Sequence, residues 1–176
     1  MISIRQATAR DRQAIRALHE ASWRSAYRPF VPPVALEAPL EANMAARWGT
    51  WPEERLVLAA FEGDALLGFS AVVWERPALL DNLHVAPSRK GQGIGARLLS
   101  ATAAHVSAAG GTALRLEVIA ANAPSRGFYR KMGGHEGRIY GETLLGHPIM
   151  VAPFLWEDAA LSRLAQQFDQ DAGKGA

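Results

Sequence analysis

The chain has 176 residues, enough for one compact domain to bury a core without disulfides or metals. Apolar residues make up 49% and charged residues 20%, which excludes a disordered chain, while 19 basic against 17 acidic residues leave a net charge of +2, too little for a nucleic-acid-binding surface. The absence of cysteine excludes disulfides, thiolate metal sites and a cysteine nucleophile.

The opening residues Met1 to Arg12 carry charge where a signal peptide needs an apolar stretch, and no later run approaches the roughly 18 to 20 apolar residues of a membrane span. The expectation is a cytoplasmic protein with neither membrane nor nucleic-acid partners. Ile2 to Ala7 alternates like a short strand, and Thr8 with Asp11 has the form of a helix-starting capping box. The next helix places Ala14, Ile15, Leu18 and Ser22 on one stripe and should end near Tyr27. Pro29, Pro32 and Pro33 then break the chain.

Ala35 to Trp48 reads as a second helix, with Leu36, Leu40, Met44 and Trp48 at four-residue spacing. Arg55 to Phe61 and Ala65 to Trp74 read as two strands joined through Glu62, Gly63 and Asp64. Leu79 to Val85 is a further strand, followed by a glycine-rich turn and a helix reaching about Ala109, where Gly110 and Gly111 stop it. A strand over Ala113 to Ile119, a helix over Pro124 to Met132, and strands over Gly137 to Leu144 and Pro148 to Leu155 come next. A last helix runs from Trp156 to about Phe168. The expected organisation is one domain over 1–168 with a frayed tail over 169–176, and a mixed α/β sheet with helices on both faces.

The turn Arg89-Lys90-Gly91-Gln92-Gly93-Ile94-Gly95-Ala96 holds three glycines at alternate positions between a strand and a helix. Such a turn lets backbone N–H groups approach an anion at the positive end of a helix, and Arg89 and Lys90 add charge beside it. A tight strand-to-helix turn with no ligand is the plain alternative. The spacing also matches a dinucleotide fingerprint, with Glu117 downstream, but a Rossmann domain begins with that unit and repeats it, whereas half of this chain precedes the turn.

Two motifs resemble the GNAT superfamily of acyl-CoA-dependent N-acetyltransferases. Leu83-His84-Val85-Ala86-Pro87 leading into Lys90-Gly91-Gln92-Gly93-Ile94-Gly95 is similar to the family's pyrophosphate-binding segment. Leu116-Glu117-Val118, then Asn122, then Phe128-Tyr129-Arg130-Lys131-Met132-Gly133 is similar to its strand, asparagine and Tyr-x-x-x-Gly segment. Two departures stand out: Lys90 where Arg or Gln is usual, and Gly134 where a phenylalanine commonly follows the glycine.

The resemblance implies a mostly antiparallel sheet splayed between the strand ending at Val85 and the strand Ala113 to Ile119, with the pantetheine arm of acetyl-CoA in the gap. It assigns Leu83, Val85, Lys90, Gly91, Gln92, Gly93, Ile94, Gly95, Ala96, Asn122 and Tyr129 to acetyl-CoA. Asn122 has an equally good reading as a helix N-cap. Tyr129 falls on the family's usual acid position, and Glu117 aligns with a glutamate that serves some members as general base. Packing for the first and a structural strand role for the second stay open.

The expected reaction is direct attack of a primary amine on acetyl-CoA in a ternary complex, the acceptor being a small molecule or a peptide amino group. An acyl-CoA-binding sensor or scaffold without turnover is the alternative. Trp23, Tyr27, Phe30 and Trp74 are expected to wall the acceptor pocket, with Glu75 and Asp81 as further acids there. Asp81 shares strand parity with Leu83 and Val85. The five histidines show no ligand pair at helical spacing, so no metal is expected. The strand Ile149 to Trp156 offers an edge through which a homodimer would pair.

Overall fold

The computed structural model describes the backbone of residues 1–173 and the side chains of residues 1–168. Its elements are β1 (Ile2–Gln6), α1 (Arg12–Tyr27), α2 (Ala38–Trp48), β2 (Leu56–Glu62), β3 (Ala65–Val73), β4 (Ala78–Val85), α3 (Ile94–Ala108), β5 (Ala113–Ile119), α4 (Ala123–Lys131), β6 (His135–Glu136), β7 (Tyr140–Leu144), β8 (His147–Glu157) and α5 (Asp158–Gly173). The eight strands form one open sheet in the order β1-β2-β3-β4-β5-β8-β6, with β7 also paired to β8. This is the mixed α/β sheet expected.

Strand β2 explains why both faces are covered. Leu56, Leu58 and Ala60 point into a core with Leu98 and Val106 of α3 and Leu161 and Leu164 of α5, while Val57, Ala59 and Phe61 point into a second core with Ile15 and Leu18 of α1 and Leu40 and Met44 of α2. A strand apolar at every position is stable only when buried on both sides. Each fully buried leucine in these cores contributes about 1.5–3 kcal/mol.

All pairings are antiparallel except β4 with β5, and that parallel contact joins only Ala78 with Leu114 and Leu79 with Arg115. Beyond it the two strands part, which is the splay expected. Its origin lies in β4: against β3, Ala71 faces Asn82 but Val72 faces Leu80, so Asp81 is an extra residue without a partner. A bulge of this kind bends its strand and resets which side chains share a face. Leu80, Leu83 and Val85 consequently pack on the same core. The parity argument placing Asp81 with Leu83 and Val85 is overturned, and its carboxylate meets Arg47 of α2 on the opposite face.

Other differences are local. Helix α2 begins at Ala38 because Pro33–Leu36 forms a 3-10 turn first. The two-residue β6 carries too little pattern to read, and β7 starts at Tyr140. Helix α5 continues to Gly173, past the end expected near Phe168, and residues 174–176 of the expected tail lie outside the described ones. Strand β8 pairs with β5 on one side and with β6 and β7 on the other, so it offers no free edge for a second copy. Among the described residues no helix is long and apolar enough to cross a membrane.

Gly134 answers for the missing phenylalanine. A Cβ placed on it would lie 2.6 Å from the Trp156 ring, and that ring is anchored by its indole N–H donating to the Met132 carbonyl at 2.9 Å. The aromatic filling at this corner therefore arrives from β8. Overpacking predicts that Gly134→Ala costs about 1–3 kcal/mol. In urea denaturation, Gly134→Phe combined with Trp156→Ala should lose less than the sum of the two single variants, because one ring replaces the other; strictly additive losses would refute the exchange.

Candidate active site

Where β4 and β5 part, a cavity of about 910 Å³ opens, running from the glycine turn past Leu83, Val85, Leu116 and Val118 to Tyr27 at the end of α1 and Phe30 beyond it. At one end stands the N-terminus of α3. Gly91 and Gly93 both take φ of +77°, which L side chains rarely adopt, and a Cβ on either would meet nothing within 4 Å. Backbone shape rather than crowding therefore requires glycine here. Gly93 is the N-cap, and no side chain caps this helix.

The first-turn N–H groups of an α-helix have no partner within the helix, so those of Ile94, Gly95 and Ala96 face the cavity end with the helix dipole behind them. Lys90 and Lys131 also line the cavity. Arg89 also lines it, tied to Glu62 at 2.8 Å and to the Gln92 side chain at 3.1 Å. Gln92 is turned toward Arg89 and is absent from the lining, unlike the other residues expected in this turn.

Helix α4 closes one side. The Asn122 side chain accepts from the Ser125 N–H at 3.2 Å, which realises its N-cap reading, and the residue also lines the cavity. Tyr129 lines the cavity too, its ring packed against Phe128, Phe154 and Trp156 at centroid distances of 5.1, 5.5 and 6.1 Å. Packing and exposure to the site thus coexist in one side chain. Burial, and after it the nearby Tyr27, pushes the Tyr129 phenol far above its ordinary value.

The expected acids are all engaged by arginines. Glu117 lines the cavity but pairs with Arg115 at 3.2 Å, and Arg115 also pairs with Glu75 at 2.6 Å. Asp81 lines the cavity and pairs with Arg47 at 2.7 Å and Arg55 at 3.2 Å. Glu75 and Trp74 do not line it, and Trp74 is 47% exposed. Neither forms the acceptor wall expected of it, because both stand past the end of β3. Tyr140 of β7, missed in the sequence, sits beside Glu117, its phenol pushed up to about 12 by partial burial and by that carboxylate.

At the far end Ser22, Ala26, Tyr27 and Phe30 form the wall. The Tyr27 phenol is pushed up to about 12, chiefly by burial. Trp23, expected beside it, is buried in the second core and does not reach the cavity. Its indole N–H donates to His84 Nε2 at 3.3 Å. An indole can only donate, so Nε2 is bare and the proton sits on Nδ1, which donates to Ser22 Oγ at 3.0 Å. The Ser22 hydroxyl keeps its own proton for the cavity, a feature no sequence pattern revealed.

His19 is fixed in the same manner from the other side. Trp48 donates to its Nδ1 at 2.9 Å, leaving Nε2 as the proton carrier, buried and without a partner. The two imidazoles lie 4.5 Å apart between Phe69, Trp23 and Trp48. Burial first, then the Lys90 and Arg47 charges, brings His84 down to about 3, and burial with the neighbouring His84 and Arg47 drives His19 lower still.

Comparison with known proteins agrees with this architecture. Residues 14–134 match the model of the acetyltransferase (GNAT) family. The chain is 30% identical over 142 residues to the uncharacterized N-acetyltransferase YhfO of Bacillus subtilis (strain 168), covering 77% of this chain and 91% of that one. It is 38% identical over 80 residues to a streptothricin acetyltransferase of Streptomyces lavendulae, a match that spans 44% of this chain and only 42% of that relative. Among solved structures, the PaiA N-acetyltransferase of Thermoplasma acidophilum in complex with coenzyme A superposes with a TM-score of 0.67 at 21% identity, over 86% of this chain and 98% of that one.

The two depressed histidines set an acid dependence. Both stay neutral in the fold, while in the unfolded chain they bind protons below the ordinary value of 6.5. Unfolding therefore takes up protons, and stability falls as pH drops below 6.5, by up to about 1.4 kcal/mol per pH unit for each imidazole. Denaturant midpoints measured between pH 6.5 and 4.5, above the range where most carboxylates titrate, should decline steadily; a flat profile would contradict the neutral pair.

Proposed function

Because the chain belongs to the GNAT acetyltransferase family, we propose that its cavity binds acetyl-CoA and that the enzyme transfers the acetyl group to a primary amine within a ternary complex. The observation that carries this reading is the continuity of one cavity from the uncapped start of α3 to Tyr129 and on to Tyr27. Its lining offers a phosphate end at the start of α3, a middle between the parted strands and an acceptor end. The PaiA protein, whose structure contains coenzyme A, supports the same assignment through its shared fold.

In this reading the N–H groups of Gly93, Ile94, Gly95 and Ala96, with Lys90, hold the pyrophosphate. The unpaired backbone of Leu83 and Val85, freed where β4 leaves β5, hydrogen-bonds the pantetheine arm. Asn122 supports the arm from the helix start while capping α4. The thioester supplies the activated acyl group. The amine nitrogen bonds to the carbonyl carbon as the carbon–sulfur bond breaks; one proton leaves the nitrogen and one reaches the sulfur.

Tyr129 keeps its proton throughout the neutral range because burial disfavours the phenolate, so it donates a hydrogen bond to the departing sulfur. Glu117, open to the cavity and held by Arg115, takes the amine proton directly or through water. The acceptor is a small-molecule amine or a peptide amino group; of the two relatives, one is named as a streptothricin acetyltransferase and the other as an N-acetyltransferase.

Thiol release in the presence of amines tests this reading. Tyr129→Phe should lower kcat on the order of 10²-fold with little change in KM for acetyl-CoA, the loss ascribed to one positioned proton donor. Glu117→Gln should lower kcat with little change in KM for acetyl-CoA. Full activity in both variants would refute the assigned roles.

A further inference from the structure

A second recess, of about 490 Å³, lies beside the cavity and shares Asp81 with it. Asn43 and Arg47 of α2, Thr50, Glu54 and Arg55 line it. The two guanidiniums converge on a single oxygen, Asp81 Oδ2, at 2.7 and 3.2 Å, and the Asn82 amide donates to that same oxygen at 2.8 Å. Arg47 Nε is spent on Asn43 Oδ1 at 2.9 Å. Arg47 Nη2, and Nε and Nη2 of Arg55, make no hydrogen bond among the described residues.

Two cations against one anion in contact leave a positive charge unbalanced. Both arginine side chains are about 30% exposed (28% and 31%), so the charge sits in a partly desolvated recess and not on open surface. Glu54 stands exposed in the lining and pairs with neither arginine. Guanidinium N–H pairs match a carboxylate bidentately. Arg47 also lies over Trp23, 5.8 Å from the ring, which ties the recess to the Ser22, His84 and Tyr27 end of the cavity.

We propose that this recess binds a carboxylate on the acceptor, so that the enzyme's substrate is an amino-acid-like amine whose nitrogen enters the cavity while its carboxylate rests between Arg47 and Arg55. The inference rests on the acetyl-transfer reading and names its substrate class. It also accounts for the two arginine partners on Asp81: a cationic amine meets no free carboxylate at this recess.

The test compares amino acids with their own carboxamides as acceptors, for example methionine with methioninamide, tryptophan with tryptophanamide and glutamate with isoglutamine, by thiol release at saturating acetyl-CoA. At least one acid should exceed its amide tenfold or more in kcat/KM, mainly through KM. Arg55→Gln should pull that ratio toward one, and Arg55→Lys, which keeps the charge but not the fork, should fall between. Amides accepted as well as acids, no turnover of any acid, or an Arg55→Gln variant that retains the full ratio would each overturn the proposal. Calorimetric binding of acetyl-CoA by the same samples separates the two levels: its absence defeats the acetyl-transfer reading, whereas its presence beside a failed acid preference defeats only the carboxylate site.

Discussion

The single unpaired residue in β4 governs both the cleft and the charge around it. Asp81 has no partner on β3, and the strand leaves β5 after two residue pairs. Without that bend β4 and β5 would continue side by side, and each would satisfy the other's backbone groups. With it, the backbone from Leu80 to Val85 gives up a neighbour, and a cleft opens at the centre of the sheet. Bulges beside functional sites are a recurrent device for turning a strand aside without ending it. The cost is carried by the two cores, which pack both faces of β2 and β3 and hold the remaining pairings rigid.

The same residue organises the charge. Asp81 draws Arg47 and Arg55 together on the acceptor side, while Arg115 joins Glu117 to Glu75 at the end of β5 and β3. The exposed Arg115 pairs contribute little to stability, about 0–1 kcal/mol each, so the importance of these clusters lies in what they leave available. Arg47 and Arg55 take up the Asp81 carboxylate and leave cationic donors beside it, whereas Arg115 is shared by two carboxylates. The histidines nearby add no charge, because Trp23 and Trp48 each occupy one ring nitrogen and burial disfavours a second proton on either ring.

Much of this is legible in the sequence. The apolar run Leu56 to Phe61 of β2, the four-residue spacing in α2 and the glycine pair closing α3 announce their elements through composition, periodicity and stop signals, and Gly91 and Gly93 announce a strand-to-helix turn whose positive φ glycine tolerates best. Asn122 is legible as a cap, since an asparagine two residues before Pro124 has little else to do locally. What escapes is set by tertiary contact. A bulge shifts strand parity without leaving a mark in hydropathy, so parity alone puts Asp81 on the wrong face. Trp23 follows the helical stripe one position away from Ser22, and only the position of His84 decides which of the two reaches the cavity. Trp156 filling the place beside Gly134 depends on β6 and β8 coming together, and a two-residue strand carries no period.

The uncapped start of α3 is, on this reading, an anion cradle for acetyl-CoA, and every other assignment in the cavity depends on it. Isothermal titration of acetyl-CoA into the wild type, into Gly95→Asp and into the Gly93→Asp, Gly95→Asp double variant addresses it directly, with circular dichroism verifying that each is folded. Gly95 lies in the first helical turn with its added Cβ only in ordinary contact with Phe128 and Val85, so a single aspartate there brings negative charge without forcing the backbone. The expected result is one acetyl-CoA per chain in the wild type and binding lost or greatly weakened in both variants. A folded wild type that takes up no acetyl-CoA, or folded variants that bind it as tightly, would contradict the cradle.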